Sequence, residues 1–474
     1  MIVSSDHRGW FGPAFALVAV VTALRWALLA FDRTDLFVDE TQYWLWGQEF
    51  AFGYSTKPPL IAWLIGGVTR VTGSDAPFWI RMPGAALHGV TALVLGALAA
   101  RMQGKGAAIW VVAAYVTLPM AAVGSLLIST DTVMAPFFAG ALFFHHRMLT
   151  EGKARDALLT GLMIGIACLA KYAGVYFLIG VALAAILRRD LRPKLSHVAL
   201  LLLVWAVVLL PNVWWNLTHG LSTLTHTADN IGWIEREQPL DDFGFDDLFE
   251  FWIGQLAVVG PFIVVALLAG LQRPFANAPL AAFVLPTLII VSMQALLEMA
   301  YANWAITAYF TGTILAMAVL AQYPRWRLVA VLSNAVICVA LPVLTLFPSV
   351  SVTGKPLLYR YLGRADLSAQ IISLAKQDGN VPVLSVSRDV LADLFYTGRD
   401  SGLAFYAPRP AGQPDNHYVQ RYPLPKTLTG RLLLIATKPP GCAYTETPLK
   451  TEGGSYAKYG MQAYLVDATC FNKP

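Results

Sequence analysis

Charged residues are scarce in this sequence: of 474 residues, 13% carry charge while 57% are hydrophobic. A soluble protein of this size carries roughly twice that charge, so a water-soluble globular chain is excluded. No repeat at solenoid period and no low-complexity tract is present, which removes stacked-repeat architectures. Cysteine is limited to four residues, and no HExxH or Cys-rich pattern offers a zinc site. The adjacent acids Asp241, Asp242, Asp246 and Asp247 lack calcium-loop spacing and a terminal bidentate Glu, and read as a solvated acidic turn.

The apolar residues come in blocks of about 20, the length that crosses roughly 30 Å of hydrocarbon. Eleven spans are expected, at about 13–31, 77–100, 107–124, 131–149, 157–170, 173–187, 197–211, 252–271, 279–298, 304–321 and 327–347. Only Lys171 and Tyr172 mark the break between the fifth and sixth. The first block follows a short basic start, His7 and Arg8, without a small-residue cleavage site, and reads as a retained anchor. Alternate connections carry thirteen Lys/Arg, among them Arg101, Arg147, Arg188 and Arg325, against five on the opposite connections before the tail. That bias puts the N-terminus in the cytoplasm and, with an odd number of spans, the C-terminus outside.

On this topology residues 32–76 form a first external loop holding two short amphipathic helices, 41–50 and 60–71, with Pro58 and Pro59 before the second. A second external loop, 212–251, is long and polar, as functional loops are; it is expected to cover an external cavity. From about residue 349 the composition changes. The tail holds fourteen Lys/Arg against nine Asp/Glu, the whole of the chain's +5. It reads as an α/β domain with helices at 365–377 and 388–396 and strands near 381–387, 402–406, 417–422, 431–436 and 463–468. Cys168 and Cys338 lie in spans as packing residues. Cys442 and Cys470 share the outer domain, where a disulfide persists.

The chemistry-bearing residues cluster in the first external loop. Asp39 and Glu40 are either a helix cap and dipole partner or a proton acceptor. Lys57, in Ser-Thr-Lys-Pro-Pro, is held extended by the following proline, a rigid cation suited to a phosphate or an exposed loop lysine. Asp131 follows Ser129 and Thr130 at a span start, as an N-cap or a cavity carboxylate does. Lys171 either snorkels at a helix end or faces the site. His219 and His226, seven apart, read as hydrogen-bonding or acceptor-contact residues, and Tyr301 and Asn303 as cavity lining. Arg25, costly in lipid, is expected to face protein or to snorkel.

The runs VDETQYWLWGQ and GYSTKPPLIAWL resemble the first external loop of the GT-C superfamily of integral-membrane glycosyltransferases. The likeness is to the branch of bacterial protein O-mannosyltransferase-like enzymes, the lipid A aminoarabinose transferase and rhizobial lipid A galacturonosyl transferases. STDTVMAPFF, CLAKYAGVYF, WWNLTHG and YANWAITAY resemble further family positions in family order. The resemblance implies a GT-C fold: a polytopic α-helical membrane protein of about eleven transmembrane helices, residues 1–348, with a periplasmic α/β domain, 349–474. It implies inverting transfer of a sugar from a polyprenyl-phosphate donor to an acceptor hydroxyl, with Asp39 as base and Glu40 beside it. Lys57 would hold the departing phosphate; Asp131, with Tyr43 and Tyr54, would line the cavity. In the aminoarabinose enzyme an arginine stands where this chain has Gln42. Lys171 or Arg81 is expected to supply that cation, or the sugar differs.

The expected protein is therefore a bacterial inner-membrane glycosyltransferase acting at the periplasmic face on lipid A, LPS core or another envelope glycolipid. Its partners would be the lipid-linked donor, the glycolipid acceptor and membrane lipids, with no nucleic acid; no cofactor or obligatory metal is expected. A protein O-glycosyltransferase of the same superfamily is the alternative enzyme. A lipid or solute transporter is the alternative class, although transporters place their ionisable residues near the bilayer midplane.

Overall fold

The computed structural model describes residues 9–223, 225, 228, 244–352, 354–410, 412, 414–451 and 454–471. Its contacts divide the chain into two compact units. The first comprises Met1–Ala30, Ala51–Ile61 and Arg81–Val343; the second comprises Phe31–Phe50, Ala62–Ile80 and Leu344–Pro474.

The first unit is helical. Its elements are α1 (Phe11–Leu29), α4 (Pro77–Gln103, from Arg81 onward), α5 (Lys105–Thr117), α6 (Pro119–Leu126), α7 (Thr130–Glu151), α8 (Ala154–Ala170), α9 (Tyr176–Leu187) and α10 (Leu195–Thr218). After the second loop come α11 (Phe245–Val259), α12 (Pro261–Leu271), α13 (Ala278–Leu297), α14 (Ala308–Leu320) and α15 (Pro324–Leu346). Each of the eleven expected spans falls on a helix or helix pair. Among the described residues α1, α4, α10, α13 and α15 are long and apolar enough to cross a bilayer, and the bent pairs α5–α6 (52°) and α11–α12 (111°) bring that to seven. Gly260, at φ 88°, and Pro261 make the sharper bend, because neither continues the preceding helix. Ser129 caps α7 by accepting from Thr132 N, and Gly152, at φ 67°, ends it. Arg25 is buried against protein, donating to Val116 O at 2.7 Å and Cys338 Sγ at 3.0 Å.

The second unit combines α2 (Val38–Gln48) and most of α3 (Leu60–Thr72) with the tail. The tail holds a short hairpin, β1 (Ser351–Val352) and β2 (Lys355–Pro356), then α16 (Arg364–Gln377), β3 (Val383–Ser385) and α17 (Arg388–Thr397). It continues with β4 (Phe405–Tyr406), α18 (His417–Arg421), β5 (Arg431–Ala436), β6 (Tyr444–Pro448) and β7 (Gln462–Asp467). The sheet runs β4-β3-β5-β7-β6, parallel across β4, β3 and β5 and antiparallel across β5, β7 and β6. Alternation along β5 puts Leu433 and Ile435 in the core with Leu367, Ile371, Val390 and Leu394, and Leu432 and Leu434 in a second core on the other face. Cys442 and Cys470 are joined by a disulfide.

Several tail elements differ from the sequence reading, the unexpected hairpin β1–β2 among them. The expected strand at 417–422 is the helix α18, because Asn416 Oδ1 accepts from both Tyr418 N and Val419 N and caps it. The edge strand β6 is one the sequence pattern misses: its side chains are mostly exposed and carry no apolar alternation. At the other end of this unit, α2 begins at Val38, so Asp39 and Glu40 occupy its first turn. Val38 packs with Leu391, Ala392, Ala407 and Tyr418, which groups α2 with the tail.

Candidate active site

In the first unit, three interruptions of helical structure bring three polar side chains together. Asp131 follows the Ser129 cap in the first turn of α7, Lys171 is the extended residue after α8, and Asn303 sits in the single turn Ala302–Ala305 before α14. The Lys171 ammonium donates to both Asp131 oxygens, at 2.7 and 2.9 Å, and Asn303 Nδ2 donates to Oδ2 at 3.2 Å. The carboxylate is thereby satisfied, while Lys171 keeps a third N–H and a side chain 22% exposed. Asp131 and Asn303 line a cavity of about 420 Å³ whose walls are otherwise mainly apolar, including Met120, Val123, Leu127, Ile306 and Phe310. His88 adds a polar spot, 3.1 Å from Tyr115 OH and 3.3 Å from Thr132 Oγ1. Such a cavity suits a ligand that is largely apolar with one polar group.

Lys57 lies in a short stretch of the same unit that is braced by its backbone. Tyr54 N donates to Lys57 O at 3.2 Å, Thr223 Oγ1 to Tyr54 O at 2.7 Å, and Asn212 Nδ2 to Phe52 O at 2.7 Å. Tyr54 and both prolines are buried, whereas Lys57 is half-buried, so a fixed loop carries a partly open cation. Arg81 is buried near the start of α4, at 1% exposure.

In the second unit the acidic pair divides. Glu40 is fully buried and its Oε2 accepts from Phe37 N at 2.9 Å, half of the capping box that starts α2. Asp39 presents its side chain half-exposed, and its Oδ1 accepts from Arg388 Nη2 at 2.7 Å. Arg388 Nε donates to Gln42 Oε1 at 3.1 Å. A cation thus lies against Gln42 from the first turn of α17. Only the basic surplus of the tail hinted at it. Tyr43 is buried, its ring 5.6 Å from that of Trp46. His417 packs edge-on against Trp46; burial first, and then the charges of Arg421 and Arg388, push its pKa down to about 3, so it is neutral there.

The remaining candidates are dispersed. His219 ends α10 with its ring stacked on Trp215 at 4.2 Å and Nδ1 2.8 Å from Trp215 O. Tyr301 is exposed, its ring edge-on to Trp304. His226, Asp241 and Asp242 lie outside the described residues.

Known proteins share this architecture. ArnT from Cupriavidus metallidurans, in its crystal structure bound to undecaprenyl phosphate, matches with a TM-score of 0.67 over 97% of this chain and 99% of its own, at 13% identity. That defines the class of the fold: a GT-C integral-membrane protein. Residues 56–215 match the family model described as dolichyl-phosphate-mannose-protein mannosyltransferase. The lipid A galacturonosyltransferase RgtD of Rhizobium johnstonii is 38% identical over 475 residues, 97% of this chain and 99% of that protein. The lipopolysaccharide core galacturonosyltransferase RgtB of the same organism is 26% identical over 223 residues, 45% of this chain and 44% of its own. The chain belongs to the family of RgtD, within the GT-C integral-membrane glycosyltransferases. It is a membrane-embedded glycosyltransferase.

Proposed function

We propose that this enzyme moves a galacturonic acid residue from a polyprenyl-phosphate carrier to a hydroxyl of lipid A or a neighbouring core sugar. The observation that carries this reading is the end-to-end identity with RgtD, 38% over 97% of the chain. In the proposed reaction the acceptor hydroxyl attacks the anomeric carbon from the face opposite the phosphate. The bond from that carbon to the phosphate oxygen breaks as the new glycosidic bond forms, inverting the centre. Asp39 takes the hydroxyl proton. The lipid phosphate leaves with the electron pair, its growing charge met by Lys57, with Lys171 and Arg81 as further cations. A leaving phosphate of this kind needs no general acid.

The enzyme is proposed to work at the periplasmic face of the bacterial inner membrane. The thirteen-to-five Lys/Arg bias supports that orientation, as does the Cys442–Cys470 disulfide, a bond that persists in oxidising compartments. The family description over residues 56–215 keeps a protein acceptor as the second reading, with the same chemistry.

Mass spectrometry of lipid A, core oligosaccharide and envelope glycoproteins from a strain lacking the protein separates the two. The expected result is loss of one hexuronic acid from lipid A or core, restored by the wild-type protein. A change confined to glycoproteins selects the second reading, and unchanged envelopes overturn both.

A further inference from the structure

We propose that Arg388 reads the carboxylate of the transferred sugar, making the enzyme selective for acidic over neutral donor sugars. The proposal rests on the galacturonosyl reading above and names the group that would recognise the acid.

The argument starts from what the guanidinium already does. Arg388 is the first residue of α17, fixed in place by the Ser387 cap, whose hydroxyl accepts from Val390 N. Its side chain lies along one face of α2, because Asp39 and Gln42, three residues apart, are neighbours on a helix surface. Nη2 is bonded to one oxygen of Asp39, and Nε to the amide oxygen of Gln42. A guanidinium has five donors arranged as a planar fork. Two nitrogens are therefore engaged singly, and Nη1 has no partner among the described residues.

Gln42, at 1% exposure, fixes the Nε side, while the Arg388 side chain remains 36% exposed and that of Asp39 44%. Nη1, without a partner among the described residues, shares an edge of the guanidinium with Nη2. Arginine binds carboxylates through two parallel N–H bonds along such an edge. Asp39 takes only one of them, so a second carboxylate fits without displacing the first from Nη2 altogether. Of the other groups around the guanidinium, His417 is a neutral ring, Arg421 is a cation already paired with Glu49, and Asp389 is a second carboxylate beside Asp39, so the fork itself has to supply the attraction. A neutral hexose offers only hydroxyls at the same position and gains no charge-assisted bond.

The test uses the purified full-length protein with two synthetic donors, polyprenyl-phosphate galacturonate and polyprenyl-phosphate galactose, on one lipid A acceptor. Wild type is expected to prefer the acidic donor by about 10- to 100-fold in kcat/KM, the effect of one hydrogen-bonded charge. In Arg388→Gln that preference collapses: KM for the acidic donor rises by about the same factor while KM for the neutral donor holds, whatever fall in kcat, common to both donors, the loss of the Asp39 partner brings. Arg388→Lys keeps the charge without the fork and retains part of the preference; it decides the matter should Arg388→Gln fail to fold. Arg421→Gln removes a neighbouring charge and leaves the preference intact. A preference that survives in Arg388→Gln overturns the inference alone, and an equal fall in kcat with both donors at unchanged preference marks Arg388 as a group that only positions Asp39. A wild-type preference for the neutral donor overturns both this inference and the galacturonosyl reading.

Discussion

The Lys171 ammonium grips both oxygens of Asp131, at 2.7 and 2.9 Å, across a separation of 40 residues. The carboxylate side chain is 8% exposed and has Lys171 as its ion-pair partner. Removing one member of such a pair leaves an uncompensated charge, at a cost of about 3 kcal/mol. Lys171→Ala is therefore expected to melt earlier than wild type in detergent, and Lys171→Ala with Asp131→Asn to recover about 1 kcal/mol or more of the loss. Thermal unfolding of the two single variants and the double variant measures the coupling. Strictly additive losses contradict an ion pair that matters.

The helices α2 and α3 meet through glycines. A Cβ on Gly66 would collide with the Gly47 carbonyl oxygen, and one on Gly47 would lie 2.9 Å from Ala62 O and Gly66 N. Backbone cannot yield as a flexible side chain can. Gly66→Ala is expected to cost about 1–3 kcal/mol and to reduce transfer, since α2 carries Asp39. Gly67→Ala, with nothing within 4 Å, is the control; its effect should be neutral or mildly stabilising. Melting curves and turnover of the two variants check this, and equal behaviour refutes the close approach.

The pH response of the second unit should carry a mark of Asp393. Burial, first among the causes, raises its carboxyl pKa to about 6, against lowering by the hydroxyls of Ser368 and Thr397. Asp35 raises it further and Arg364 lowers it. A folded-state pKa above the unfolded value means the folded form holds the proton more tightly. The contribution to stability is complete below about pH 4 and is lost as pH rises through about 6. Asp393→Asn should flatten the dependence over that interval, measured as melting temperature against pH. An unchanged slope in the variant removes Asp393 as its source.

The membrane unit was legible because spans of about 20 apolar residues have few alternatives; even the weak break at Lys171 and Tyr172 is a real one, where α8 ends and a single turn, Tyr172–Val175, precedes α9. The tail was legible where β5 alternates and where the helices at 365–377 and 388–396 repeat their apolar faces. It was misread at 417–422, where one side chain, Asn416, turned a strand-like run into a helix. The site was legible as residue types but not as partnerships. Sequence pointed to Asp39, Asp131 and Lys171, yet the ion pair of Asp39 with Arg388 spans 349 residues. No local spacing rule reaches that far. Glu40 shows the converse: its capping role is local, and was one of the two readings the acidic pair offered.

Asp39→Asn tests the central claim most directly. Purified variant and wild type are compared for transfer of galacturonate to lipid A and, separately, for binding of the polyprenyl-phosphate donor. The account predicts that transfer falls by about 10²- to 10⁴-fold, the range for loss of a general base, while the donor still binds. An Asp39→Asn enzyme that transfers sugar at the wild-type rate contradicts it.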